Sequence, residues 1–385
     1  MTRQSGSRAV PDSKRASWRV RWVAQRNAVF ADPRFQHWCA RLPLLRRIAR
    51  ARAGQAFDLV AGFTYSQILR AYVESGLFAV LGEGPVAARD VASALDLSQD
   101  AALTLLRAGR AIGLSEEPVE DGWMLGETGA VLAADAGAQA MIRHHRLLYA
   151  DLADPLELLR KDRREASELS RFWSYAGALH GAAERGRATR EYSQLMAASQ
   201  HFVADEVLGA YRFPAGARLL DMGGGHGAFL ARMGEAHPAL HLGLFDLPEV
   251  AREGAEKLAE RFGDARVSAH PGDFFADPIP PGYDHVSLVR ILHDHDDEPA
   301  MRLLENIRAG LAPGAHLLIA EPMARAKGAE GMGEAFFGMY LWAMGSGRPR
   351  SADEIAQMVR LAGFARVRSV LTAQPVNAGL VVATV

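Results

Sequence analysis

The chain has 385 residues, enough for two domains with full cores, and its near-half apolar content with mixed charge is that of a globular protein. A single cysteine, Cys39, excludes an internal disulfide, and neither a membrane span of ~20 apolar residues nor the apolar core of a signal peptide is present, so a cytoplasmic protein is expected. The net charge of −1 hides an asymmetry: residues 1–52 hold thirteen Arg or Lys and two acids, a surplus of +11, so residues 53–385 sum to −12.

The basic segment, 1–52, reads as an arm. "SWRVRWVAQRNAVF" sets Trp18, Trp22, Val23 and Phe30 among arginines, and "LPLLRRIARARAGQAF" follows. Basic residues interleaved with Trp and Leu suit an anionic membrane surface. A solvated arm, or one packed on the acidic body of a partner subunit, is the plainer alternative.

Residues 53–135 form the next unit. Apolar spacing predicts helices over 55–115, one of them capped by Ser98 and stopped at Gly113, followed by a hairpin turning at Asp121-Gly122. Helix, helix, hairpin is a winged-helix pattern, which raises DNA binding. Residues 86–128, however, carry three arginines against eight acids, the wrong sign for a phosphate backbone. No nucleic-acid partner is expected, and the unit reads as a packing or dimerisation module. Residues 136–210 are expected to be helical and to line the substrate, with Met196 among the lining residues. The paired His144-His145 within it could serve chemistry but more commonly satisfies a core hydrogen bond.

From about 211 to 385 the rhythm changes to alternating strands and helices, a parallel sheet. The last two strands, "ARVRSVLTAQ" and "AGLVVATV", are joined by a short turn and must be antiparallel to each other. The expected fold is therefore α/β: a Rossmann-like, mostly parallel sheet with an antiparallel C-terminal strand, behind a mainly helical N-terminal module. The first strand runs into "LLDMGGGHGAF". No Gly-Lys-Ser/Thr follows, which excludes a phosphate loop of that type. Gly223, Gly225 and Ala228 meet the dinucleotide pattern, but that pattern alone is weak. The acids discriminate. Asp221, before the glycines, opposes a pyrophosphate and suits an amino group. Asp246 ends the second strand, where it can accept from ribose hydroxyls. Asp273 closes the third, where it could accept from an adenine amine with Phe274 against the ring. Leu247, Gly272 and Arg290 stand beside these strand ends. The ligand implied is an adenosine carrying an amine and no phosphate: S-adenosylmethionine. Each acid taken alone could instead cap the helix that follows it.

"LLDMGGGHGAF", "LFDLPEV", "HPGDFF", "RILHDHDDE" and "LLIAEP", in this order behind a helical winged module, resemble the S-adenosylmethionine-dependent O-methyltransferases of the plant caffeate and bacterial small-molecule type. The resemblance spans ~55–385 and implies a homodimer joined through the N-terminal module. Within the family, "LPLLRRIARARAGQAFDLVAGFTYSQIL" and "HHRLLYADLADPLELL" are similar to the carotenoid-modifying members of purple bacteria. That narrower likeness implies an acyclic carotenoid with a tertiary 1-hydroxyl as acceptor, and with it peripheral contact of residues 1–52 with the inner, photosynthetic membrane.

The resemblance also implies that His293 is the base. An alcohol attacks a sulfonium poorly unless its proton leaves as the C–O bond forms, and an imidazole near pKa 6.5 can take that proton. Glu321 matches the family carboxylate that steadies the base. The second such carboxylate falls near "GSGRPRS", where this chain has Arg348 and Pro349, so Glu321 alone or Asp294 is left to orient the imidazole. The run from His293 to Glu298 could ligate metal, but strand geometry converges few of these side chains, and Asp296 or Asp297 fits as a helix cap; no metal is expected. "MGEAFFGMYLWAMGSG", 332–347, lacks a polar face and is expected to be buried on both sides, with Phe336, Met339 and Tyr340 lining an apolar pocket. Core plus dimer contact is the alternative for this helix. A tetrapyrrole C-methyltransferase would share these motifs, and a nicotinamide oxidoreductase or a winged-helix regulator remains as a reading from another class.

Overall fold

The computed structural model describes residues 14–163, 165–177 and 200–385. Met196 lies outside the described residues. Three helices open the described residues: Lys14–Ala31, Pro33–Arg41 and the long Pro43–Glu74. Asp32 caps the second by accepting from Arg34 N, and Pro33 and Pro43 stand at first helical positions where a missing N–H costs nothing. Among the described side chains from 18 to 60 none is buried, so these helices have no core of their own except what they share along their contacts.

Shorter helices follow. Ser98 caps the helix Gln99–Ala111 as the sequence indicates, and the hairpin of β1 (Ser115–Val119) and β2 (Gly122–Leu125) turns through Asp121 at φ +52°. Tyr72, Leu77, Leu81, Val91, Leu106 and Trp123 form the core of this unit. The helix Ala136–Asp151 leaves it: Ile142 packs into that core, whereas Leu148 packs with Leu169, Tyr340 and Leu341.

The sheet holds seven strands in the order β5-β4-β3-β6-β7-β9-β8, where β3 is Arg218–Met222, β4 His241–Asp246, β5 Val267–Pro271, β6 His285–Val289, β7 His316–Glu321, β8 Arg366–Val370 and β9 Gly379–Thr384. β3 to β7 pair in parallel, and β9 runs antiparallel to both β7 and β8. Near-continuous apolar strands such as β6, buried at every position, are what a sheet covered on both faces requires. One face packs under the helices Asp297–Gly310 and Ala352–Leu361, the other under residues 200–210, Ala228–Ala236 and Pro248–Phe262. Successive strands run outward from β3 to β5 on one side, and β6 returns to the other side of β3. The crevice at this reversal is where open α/β sheets place ligands. No helix among the described residues is long and apolar enough to cross a membrane.

Two segments differ from the sequence expectation. Residues 332–347 are not one helix: Gly331–Phe337 is a π-helical stretch and Gly338–Met344 an α-helix. The segment is also one-sided rather than buried all round, since Glu334 and Ala335 are exposed while Tyr340, Leu341, Ala343 and Met344 are buried. The third strand stops at Pro271, and Phe274 and Phe275 belong to a turn.

Candidate functional site

The loop after β3 is fixed by what lies beneath it. Asp221 is 0% exposed, Ser287 Oγ of β6 donates to its Oδ1 at 2.6 Å, and its Oδ2 has no partner among the described residues. Burial, opposed by the Ser287 hydrogen bond, pushes this carboxyl up to about 7. Gly224 sits directly on it: a Cβ there would come 2.7 Å from Asp221 Oδ2. At Gly223 the backbone is left-handed, φ +69°, and a Cβ would lie 2.6 Å from Ile291 Cδ1. Both positions thus need glycine, one for space and one for space and conformation. The glycines lead into the amino end of the helix Ala228–Ala236, which has no side-chain cap at Gly227.

At the end of β4, Asp246 accepts from Gly225 N at 2.8 Å and Leu247 N at 2.7 Å. Burial raises its pKa, against those two backbone donors. The carboxylate therefore ties the glycine loop to the second strand. Beyond β6 the backbone turns sharply: Arg290 holds φ +58°, a conformation that costs a non-glycine residue of order 1 kcal/mol, with its N–H on Ala320 O at 2.9 Å. That turn aims the short helix Leu292–Asp294 back across the crevice.

His293 lies on this short helix, 3% exposed. Its Nε2 is 3.1 Å from Asp294 Oδ1, and Nδ1 has no partner among the described residues. Its backbone N–H donates to Glu321 Oε2 at 3.0 Å. Burial alone would lower the imidazole pKa, but Asp294 and then Glu321 outweigh it, and the net direction is upward. Glu321, fully buried at the end of β7, is itself raised by burial against the pull of His293.

Arg350 anchors the same segment and was not singled out from the sequence. It is 0% exposed; Nη1 donates to Leu292 O at 2.7 Å and Nη2 to His295 O at 2.8 Å and Asp297 Oδ1 at 2.7 Å. Arg348 N donates to His293 O at 2.9 Å, and Ser346 Oγ to Asp294 O at 2.8 Å. The "GSGRPRS" stretch therefore supplies donors to carbonyls on both sides of the histidine. Its only signal in sequence is the doubled arginine beside a proline.

Gly223, Gly225, Arg290, His293, Asp294, Phe336 and Tyr340 line one cleft of about 870 Å³, together with Met141, Trp173, Gln200, His226, Ile291, Phe337 and Leu341. Its wall is mainly aromatic and aliphatic. Tyr340 accepts from Trp173 Nε1 at 3.1 Å and pairs with His144 Nε2 at 2.8 Å. Burial, then the neighbouring His145 and Arg146, lowers His144 to about 4, so it is a neutral core partner of a cleft residue. His145 stands edge-on to Phe336 at 5.4 Å.

Other expected site residues lie elsewhere. Asp221 is beneath Gly224 and does not line the cleft; neither do Asp246 and Leu247, which hold the loop from the side. Asp273 is exposed and caps its own turn, accepting from Phe275 N at 2.8 Å, because the strand ends two residues earlier than the sequence suggests. Phe274 comes within 3.4 Å of where a Gly223 Cβ would stand, so the ring does sit beside the glycine loop. Gly272 packs under Phe245, and its N–H donates to Asp246 O at 2.9 Å. Met339 is half-buried but off the cleft, since the π-helical stretch presents Phe336, Phe337, Tyr340 and Leu341 instead. Glu321 holds the backbone of His293, and Asp294 holds the imidazole. Among the described residues no cluster of three or more His, Cys, Asp or Glu could hold a metal ion.

A family profile described as an O-methyltransferase domain matches residues 149–365. Demethylspheroidene O-methyltransferase of Cereibacter sphaeroides is 39% identical over 335 residues, covering 87% of this chain and 88% of the relative. The protein of the same name from Rhodobacter capsulatus is 39% identical over 336 residues, covering 87% and 83%. A solved structure of CalO1, a methyltransferase in calicheamicin biosynthesis, in a SAH-bound form, superposes with a TM-score of 0.72 at 24% identity, covering 87% of this chain and 98% of that one. This last likeness shows the fold.

Two outcomes follow from the geometry. Asp221 keeps a proton in the native state at pH values where the unfolded chain, titrating near 4, has lost it; the unfolded state binds fewer protons between about pH 4 and 7, and stability falls as pH rises through that window. Asp221→Asn is expected to remove that contribution, up to roughly 4 kcal/mol, and thermal melts of both ligand-free proteins across pH 4–7.5 measure it. Identical pH slopes would contradict the assignment. Arg350→Ala leaves the carbonyls of Leu292 and His295 buried without donors and is expected to cost about 2–4 kcal/mol in denaturant unfolding.

Proposed function

The chain belongs to the O-methyltransferase family, and from that premise we propose that it transfers a methyl group from S-adenosylmethionine to the hydroxyl of an apolar small molecule, the tertiary 1-hydroxyl of an acyclic carotenoid. The observation that carries the reading is that the glycine loop after β3 and the carboxylate-backed His293 share one apolar cleft. The residues present fit the donor. The Gly223–Gly224 backbone leaves space at the cleft that any side chain would fill, with the unpaired oxygen of Asp221 directly beneath Gly224 and the Asp246 carboxylate beside Gly225 as the acceptors nearest to it. When bound, S-adenosylmethionine supplies a methyl group activated by a sulfonium.

The protein's own part is to position the acceptor and take its proton. His293 donates Nε2–H to Asp294 Oδ1 at 3.1 Å and takes the hydroxyl proton at the other ring nitrogen, Nδ1, as the new bond forms, the carboxylate stabilising the imidazolium. Glu321 and Arg350 keep the backbone of 292–297 in place, so the imidazole does not have to be ordered during the reaction. Phe336, Phe337, Leu341, Trp173 and Ile291 exclude water and suit a long hydrocarbon. The identity to the two demethylspheroidene O-methyltransferases supports the acceptor class.

The same reading divides the chain into a basic arm (1–52), a helical dimerisation unit (53–135), a helical segment toward the substrate (136–210) and a catalytic domain (211–385). It makes the protein a homodimer, for which Leu59, Val60 and Phe63, 87%, 73% and 75% exposed along one long helix, are the supporting surface.

His293→Ala is expected to retain donor binding by calorimetry and lose ~10²–10⁴ in kcat with a hydroxylated acyclic carotenoid as acceptor. Near wild-type turnover in that variant would remove His293 from the proton path. In the unmodified protein, kcat is expected to fall on the acid side with a midpoint above the ordinary imidazole value, because a protonated His293 accepts nothing. Asp294→Asn takes away the largest upward influence and moves that limb to lower pH; an unmoved limb would assign the titration to another group.

A further inference from the structure

Methyl transfer and the dimer surface leave residues 18–52 without a task. None of the described side chains from 18 to 60 is buried, yet the first three helices carry Trp18, Trp22, Phe30, Trp38 and Ile48 at 53%, 56%, 42%, 55% and 55% exposure. On the helix Lys14–Ala31, Trp18, Trp22 and Val29 are four and seven residues apart and fall on one stripe. Arg19 and Arg26 lie beside that stripe, their guanidinium carbons 5.9 Å and 5.2 Å from the Trp18 and Trp22 rings. Arg52 stands 4.7 Å over the Phe30 ring. Between the second helix and the start of the third, Phe35, Cys39, Leu45 and Ile48 line a groove of about 1530 Å³ edged by Arg46 and Arg50.

The charges specify the occupant. Residues 1–52 carry thirteen basic side chains and two acids, whereas residues 53–385 sum to −12. Of those two acids, Asp32 is engaged in capping its own helix. Such a chain is an electric dipole: an anionic surface attracts one end and repels the rest, which fixes orientation as well as affinity. Indole rings bracketed by arginines match the boundary between headgroups and acyl chains, where the ring is buried and the cation meets phosphate. The acidic body of a second copy would answer the charge, and Leu59, Val60 and Phe63 would give it an apolar strip, but indole rings bracketed by arginines match a headgroup boundary more closely than a protein face.

We propose that residues 18–52 form a docking surface for an anionic lipid bilayer, with Trp18, Trp22 and Trp38 entering the interface and Arg46, Arg47, Arg50 and Arg52 binding lipid phosphates. The inference draws its purpose from the proposed function, since a carotenoid acceptor is dissolved in lipid, but its test needs no acceptor, so either can fail alone.

Flotation of the full-length protein with phosphatidylcholine vesicles, with and without phosphatidylglycerol, provides the test. Binding is expected only to the anionic vesicles and to fall steeply with added salt. Arg46→Gln/Arg47→Gln/Arg50→Gln is expected to weaken the partition coefficient on the order of 100-fold at low salt. Trp18→Ala/Trp22→Ala is expected to weaken binding at every salt concentration, since burial of the rings is not screened. All these side chains are exposed, and calorimetric binding of S-adenosylmethionine verifies that each variant is folded. No binding to anionic vesicles, or equal binding by wild type and both variants, overturns the proposal. So does concentration-dependent self-association in lipid-free sedimentation that the arginine variant abolishes while vesicle binding persists, because the arm would then be an inter-subunit contact.

Discussion

The arrangement depends on the reversal of strand order between β3 and β6. These neighbours run parallel, but the chain leaves their carboxyl ends in opposite directions, and a crevice opens between the two departures. The hydrogen bond from Ser287 to Asp221 joins the strands at this level. Each departure is constrained by sterics. After β3 the backbone must pass over a buried carboxyl and past Ile291, which two glycines allow; after β6 it must reverse at Arg290 in a left-handed conformation. The second constraint feeds the first, because Ile291, positioned by the Arg290 turn, is the side chain that Gly223 has to avoid. The loop that would hold the donor and the loop that presents the base are therefore a single steric unit.

That coupling explains why the sheet was legible in the sequence and the site only partly so. Alternating apolar strands and helices, the acids at strand ends and the Ser98 cap are local patterns, each set by a few neighbouring residues. Asp273 was misplaced because strand length is decided by pairing with β4, whose last partner for β5 is Asp246 opposite Pro271. Met339 was misplaced because a helix wheel drawn at 3.6 residues per turn fails across a π-helical stretch, which shifts every following side chain round the axis. Arg350 was passed over since nothing local marks an arginine that reaches back across more than fifty residues of chain to Leu292.

The carboxylates near the histidine show how burial divides labour. Glu321 is fully buried and raised by that burial, so it serves best where it meets a neutral donor, the N–H of His293. Asp294 is part of the cleft wall, where solvent or a ligand can support its charge, and it is the one beside the imidazole. Pro349 carries no acid where the family resemblance places a second carboxylate, and Arg350 next to it spends its charge on carbonyl oxygens and Asp297. Asp294 is therefore the carboxylate in contact with the ring, and Glu321 adds a smaller upward pull on it through space.

Charge distribution extends the same logic to the whole chain. An acidic body and a basic arm would collapse onto each other if the arm were flexible and polar, with the arginines spent on the body. Helix formation from Lys14 onward, and a third helix that continues for thirty-two residues into the first buried core at Tyr72, prevent that collapse. A helix keeps opposite charges apart at the cost of leaving tryptophans in water, a cost that an apolar layer beyond the chain offsets. The exposed rings and the unneutralised arginines are thus one feature, and the stiffness of the helix from Pro43 to Glu74 is what preserves both.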